Sequence, residues 1–152
     1  MKGCCIAKLL VDLGIHPDFK LFKDRLLAQK IVYLAQTIFN INFGYKFIWH
    51  IRGPYSKALS RDLKVPEDYV ACRCSEIDGN AFLKLKSLIN ELRGLNIDLS
   101  LSLEIIASYL MLSRDVYPRP EDPVKELLLR KPYVSYENVN AVLRISSKYL
   151  NN

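Results

Sequence analysis

Apolar residues recur with helical spacing through most of the chain. In "DRLLAQKIVYLAQTIFNIN", Leu27, Ile31, Leu34, Ile38 and Ile41 follow one another at alternating steps of four and three, so they share one helical face. Leu26, Val32 and Phe39 widen that surface, which predicts a central helix with Asp24 as N-cap and Gly44 as its left-handed stop. "MKGCCIAKLLVDLG" is read as an earlier helix rather than a signal peptide, because Asp12 interrupts its short apolar run. "DGNAFLKLKSLINELRG" carries the stripe Phe82, Leu85, Ile89 and Leu92, with Asp78 to cap it and Gly94 to close it. "SLEIIASYLMLSRD" is apolar nearly all round and is expected in the core. Asp122-Pro123 opens "VKELLLRK", a cap followed by proline at the first helical position, and Pro132 stops it. Ser135 caps "YENVNAVLRISSKYL", whose Val139, Val142, Leu143 and Tyr149 face inward.

Between Phe43 and Arg52 the period changes to two. Phe43, Tyr45, Phe47, Trp49 and Ile51 fall on an aromatic-rich face, and Gly44, Lys46, Ile48, His50 and Arg52 on a largely basic one. This predicts a half-buried strand, ended by Gly53-Pro54 and followed by a short helix, "KALSRDL", capped by Ser56. "YVACRCSEI" is expected to be a second strand. The predicted fold is mainly α: a single globular domain over 1–152, with about seven helices and a small two-stranded β element after the second helix.

Composition changes this picture little. With 152 residues, 50% hydrophobic and 25% charged, the chain is long enough for one well-buried core. Its apolar stretches fall short of the roughly 20 residues a membrane span needs, so the expectation is a soluble cytoplasmic protein with no membrane partner. A net charge of +6 is compatible with nucleic acid or an acidic partner, and equally with a lysine-rich solvated surface. Cys4–Cys5 and Cys72–Cys74 lack the two-residue gap of a zinc knuckle, and His16 and His50 stand at no ligand spacing, so no metal and no cofactor is assigned. The cysteines are read as buried or free thiols, with a disulfide between the two pairs as the alternative if the source is a hyperthermophile. Phosphate loops, dinucleotide fingerprints, paired zinc-binding histidines and nucleophile elbows are all missing, so the chain is read as not an enzyme. Glu104, near the start of its helix, is expected to meet the helix dipole.

"RLLAQKIVYLAQ" followed by "FGYKFIWHIRGPYSKALSRDL" resembles a family of uncharacterised bacterial and archaeal proteins. That family has an "LQK" helix, then a "GPYS" elbow before a short helix ending in Asp-Leu. The resemblance is carried by Leu27, Gln29, Lys30, Tyr33, Leu34, Gly44, Tyr45, Phe47, Gly53, Pro54, Tyr55, Ser56, Leu59, Asp62 and Leu63, and by "KPYVSYENVNAVLRI" near the C-terminus. Ala28 stands between the leucine and glutamine that the family has adjacent. More distantly the pattern is similar to the Panacea, or SocA-like antitoxin, domain. The resemblance implies a non-catalytic interaction or regulatory module of antitoxin or adaptor type, whose partner is another protein.

Two surfaces are candidates. The first is a polar rim at the elbow, Lys46, His50, Arg52, Tyr55, Ser56 and Lys57, over an aromatic support, a composition that protein interfaces favour. The "RGPYS" stretch also has a purely architectural reading, as a turn followed by a helix cap. The second is a DNA-binding unit of helix-turn-helix proportions over 103–149, with helices at 103–115, 123–130 and 136–149. Asn140, Arg144, Ser147, Lys148 and Asn151 lie on the outer side of its last helix, near Arg130 and Lys131. An ordinary solvated helix face explains the same stripe.

Overall fold

The computed structural model describes residues 2–51, 53–64 and 72–150. Seven helices occur among them: α1 Lys2–Asp12, α2 Phe22–Thr37, α3 Lys57–Leu63, α4 Gly79–Arg93, α5 Leu99–Arg114, α6 Pro123–Arg130 and α7 Tyr136–Leu150. None is long and apolar enough to cross a membrane. All seven contribute to one hydrophobic cluster. α5 is its centre, packing against α2, α4, α6 and α7. This follows from its sequence: a helix apolar on every side can be satisfied only by neighbours on every side. α2 packs against α1, α3 and α5, and Ala28 through Ala35 are buried without a break. Its predicted stripe is therefore narrower than its contact surface.

The caps act largely as predicted. Ser56 accepts from the Leu59 amide, Asp78 from Asn80, Asp122 from Val124 and Lys125, and Ser135 from Asn138. Asp24 does not cap α2: the helix begins two residues earlier, and the Asp24 carboxylate accepts from the Asp18 amide at 2.8 Å in the preceding turn. α2 also ends before Gly44. It stops at Thr37, and Asn40 takes the left-handed conformation (φ 57°) beyond it.

The predicted two-stranded β element is not formed among the described residues. Burial alternates as expected from Phe43 to Trp49, with Tyr45 buried, Phe43, Phe47 and Trp49 half-buried, and Gly44, Lys46 and Ile48 exposed. Among the described residues no strand pairs with this segment. The Gln36 side chain does that work instead: Oε1 accepts from the Phe43 and Tyr45 amides at 3.2 and 3.1 Å, and Nε2 donates to the Tyr45 carbonyl at 3.0 Å. A side-chain amide offers a donor and acceptors like those of a strand edge, so the backbone is satisfied without a ladder. The one bridge among the described residues, antiparallel between Ile48 and Tyr55, joins the segment to the turn that follows it and not to the predicted second strand. Ile51, expected on the aromatic face, is 72% exposed, because the chain turns after His50. Of the predicted second strand, 69–71 lie outside the described residues, and 72–77 form no strand.

Residues 72–74 are held covalently. Cys4 is bonded to Cys72 and Cys5 to Cys74, with Cα separations of 6.2 and 5.6 Å. The reading of these residues as buried or free thiols thus gives way to its alternative, bridges between the pairs. Each pairing ties the first turn of α1 to the segment preceding α4.

Candidate functional site

The elbow is built from the backbone outward. Ile48 and Tyr55 exchange both of their backbone hydrogen bonds at 2.9 Å, and the Gly53 amide donates to the His50 carbonyl at 3.0 Å. Gly53 has φ +109°, a region closed to side-chain-bearing residues at little cost, which is why the turn needs glycine. A Cβ there would stand 3.6 Å from Ser108 Oγ and 3.8 Å from Glu104 Cγ, so the elbow lies directly on α5. From α2, Gln29 Nε2 donates to the Ser56 carbonyl at 2.8 Å and its Oε1 accepts from the Ser56 amide at 2.9 Å.

Beneath the elbow lies a buried ionic cluster. Glu104 Oε2 stands 3.1 Å from Lys131 Nζ and Oε1 stands 3.5 Å from Lys30 Nζ. The Tyr133 hydroxyl donates to Glu104. Lys131 also donates to the Ile51 carbonyl at 2.6 Å, and Lys30 to the Ser100 hydroxyl at 3.0 Å. Lys30, Glu104 and Lys131 are 3%, 7% and 1% exposed, so two cations share one carboxylate away from water. Burial pulls both ammonium groups below the usual lysine range, and the attraction of Glu104 offsets only part of that. Glu104 is in the second turn of α5 and meets these side chains, not the helix terminus predicted from its position. The cluster joins α2, α5 and the segment after α6, and it fixes the elbow through the Ile51 carbonyl.

Three large apolar side chains are exposed at or beside this frame. Ile48, Ile51 and Tyr133 are 58%, 72% and 58% exposed, and the Tyr133 hydroxyl is 3.5 Å from the Ile51 carbonyl oxygen. Arg130 and Lys131 each place their charge 5.2 Å from the centre of the Trp49 ring. The His50 ring stacks on Tyr55 at 4.9 Å, and its Nδ1 is buried with no hydrogen-bond partner among the described residues.

Of the predicted rim, Lys46 and Lys57 are exposed and Tyr55 and His50 half-buried. Ser56 is not on the surface: it is 2% exposed and committed to Gln29 and the α3 cap. Arg52 lies outside the described residues. The predicted nucleic-acid set divides. Lys131 is buried against Glu104 and cannot meet phosphate, since its ammonium is already enclosed. Arg130 bonds Glu126 at 2.8 Å and stands over Trp49, so it belongs to the elbow. Asn140, Arg144 and Lys148 are exposed on α7, with Lys148 bonded to Glu91 of α4; Asn151 lies outside the described residues. Sequence reasoning missed Tyr133 and the pairing of Glu104 with the lysines. The available signal was a lone carboxylate inside an otherwise apolar helix.

No protein-family model, curated protein or solved structure matches the chain.

Proposed function

We propose that this chain is a non-catalytic interaction module, of antitoxin or adaptor type, that binds another protein over the elbow. The observation that carries the reading is the meeting of exposed Ile51 and Tyr133, with Ile48 exposed nearby in the chain, on a backbone pinned by Gln29 and Lys131. Scattered exposed apolar residues need no explanation, but Ile51 and Tyr133 meet on a rigid frame, and the exposed Lys46, Lys57 and Arg130 belong to the segments that build it, which is interface composition. A pre-organised surface also loses less entropy on association. The polar groups beneath it bond one another and the backbone, which suits support rather than proton transfer. The partner chemistry that fits is an apolar anchor flanked by carboxylates.

The test is titration of a co-purified partner against surface variants. Ile51→Asp weakens the complex by tenfold or more, on the order of 1.4 kcal/mol, with the melting temperature held; Tyr133→Ala weakens it as much and also lowers the melting temperature, because it removes a donor to the buried Glu104. Tyr55→Ala weakens it more than Lys57→Ala, because aromatic anchors carry more binding energy than exposed lysines. Leu83→Asp, at an exposed apolar position on α4, leaves binding unchanged. A complex indifferent to Ile51 and Tyr133 would refute the reading.

The exposed Asn140 and Arg144 on α7 favour a second reading, binding of duplex DNA through the C-terminal helices. It is distinguished by a steep loss of affinity with salt and by sensitivity to Arg144→Ala with Lys148→Ala, but not to Ile51→Asp.

A further inference from the structure

The four cysteines form one sulfur cluster, and its construction exceeds what a staple needs. Cys4 and Cys5 sit in the first turn of α1. Cys72 and Cys74 flank the exposed Arg73 in the segment before α4, and both are half-buried. Besides the two bonded pairs, Cys5 Sγ and Cys74 Sγ each lie 3.4 Å from Cys72 Sγ. The sulfurs of Cys4, Cys5 and Cys72 all lie within 4.8 Å of one another.

As a cross-link, the second bridge is nearly redundant. The bridges span 68 and 69 residues of almost the same loop. Once Cys4–Cys72 is closed, Cys5–Cys74 closes only the small ring between them and removes little further chain entropy. Four sulfurs converging from two segments are better explained by a use that needs all four.

We propose that the reduced cluster of Cys4, Cys5, Cys72 and Cys74 is a tetrathiolate site for one zinc-class divalent ion. Zinc bonds thiolate sulfur at about 2.3 Å in a tetrahedron, which separates the sulfurs by roughly 3.8 Å. Two non-bonded separations, Cys5 to Cys72 and Cys72 to Cys74, are already 3.4 Å, and Cys4, Cys5 and Cys72 lie within 4.8 Å of one another; Cys74 must approach Cys4, and the bonded pairs part, by side-chain rotation. The absence of zinc-knuckle spacing in the sequence does not bear on this site, because the fold joins ligands nearly seventy residues apart. The surroundings favour the anionic ligands. The N-terminal turn of α1 stabilises thiolate. A cleft of about 700 Å³, lined by three cations (Lys2, Lys8, Arg73) and three carboxylates (Asp12, Glu76, Asp78), has Cys5 and Cys74 in its wall and gives the ion an entry path without an excess of either charge. A phosphine reductant supplies the electrons for loading: two equivalents give four electrons, water supplies four protons and the two oxide oxygens, and two disulfides become four thiols. One divalent ion then replaces four thiol protons, leaving a site of charge −2.

The experiment uses the full chain, reduced anaerobically with a phosphine and titrated with Co²⁺ and then Zn²⁺ alone. The expected result is saturation at one Co²⁺ per chain, with thiolate-to-metal charge transfer and tetrahedral ligand-field bands, both abolished by stoichiometric Zn²⁺. Native mass spectrometry then shows one zinc per chain, with four protons lost relative to the reduced apoprotein. Zinc raises the melting temperature of the reduced chain. Cys72→Ser and Cys74→Ser each lower the affinity at least tenfold, and circular dichroism reports whether each variant folds. The proposal is overturned if the reduced wild-type chain, folded or not, takes up no stoichiometric metal. Octahedral spectra without charge transfer, or undiminished binding in a folded Cys74→Ser variant, overturn it equally.

Discussion

Gln29 on α2 holds Ser56 by both of its backbone groups, donating to the carbonyl at 2.8 Å and accepting from the amide at 2.9 Å across 27 residues of chain. All of these groups are buried, so Gln29 answers a donor and an acceptor that no water reaches. Gln29→Leu keeps most of the volume and leaves both unpaired. At about 1–3 kcal/mol for each orphaned group, the expected loss is roughly 2–6 kcal/mol, read as a lower denaturation midpoint in urea. A loss below about 1 kcal/mol would mean the elbow re-forms its hydrogen bonds without α2.

The buried ionic cluster makes a prediction by charge count. Glu104→Gln leaves Lys30 and Lys131 as two enclosed cations without their shared counter-charge, and costs about 3–5 kcal/mol. Lys30→Met leaves the Glu104–Lys131 pair balanced, with Tyr133 still bonded to Glu104, and costs distinctly less. Equal losses in parallel melts would show that packing, not charge balance, governs the site.

Two glycines give a paired test of backbone strain. Gly53 has φ +109° and its added Cβ would meet only ordinary contacts, so Gly53→Ala is destabilising by about 1–3 kcal/mol through conformation alone. A Cβ at Gly79, the first residue of α4, would meet nothing within 4 Å. Gly79→Ala is therefore neutral or stabilises by up to about 1 kcal/mol. Thermal melts of the two variants should shift in opposite directions, or only the first should shift.

Alkaline unfolding should report two tyrosines. Burial, with the Asp115 charge beside it, raises the Tyr33 hydroxyl far above its ordinary range; burial and the bond to Asp62 raise Tyr45. A raised folded value means the folded chain keeps a proton that the unfolded chain releases. Stability from these groups is thus complete below about pH 10, the unfolded tyrosine value, and is lost as pH rises towards the folded values. Urea midpoints should fall above that pH, and the fall should flatten when Tyr33→Phe and Tyr45→Phe are combined. An unchanged slope in the double variant would assign the alkaline loss to other groups.

The helices were legible because their signals are local. Leu85, Ile89 and Leu92 repeat at helical spacing, and Asp122-Pro123 and Ser135 stand next to the amides they serve, so neighbouring letters suffice to place α4, α6 and α7. The aromatic alternation from Phe43 to Trp49 was legible for the same reason. What satisfies that segment was not: a side-chain amide from α2 and a missing neighbour strand look alike in a period-two pattern.

The sequence by itself determined the seven amphipathic or apolar helices, most of their caps, the burial of α5 and the glycine turn at the elbow. Tertiary structure alone decided that Lys131 is enclosed while Lys57 is exposed, that Glu104 joins two lysines, that Gln36 replaces a strand, and that Cys4 and Cys5 meet Cys72 and Cys74. Periodicity reports which face of an element is apolar, and caps report where it ends. A polar side chain has the same identity whether water or another buried group satisfies it, so its partner is settled only when packing removes the water.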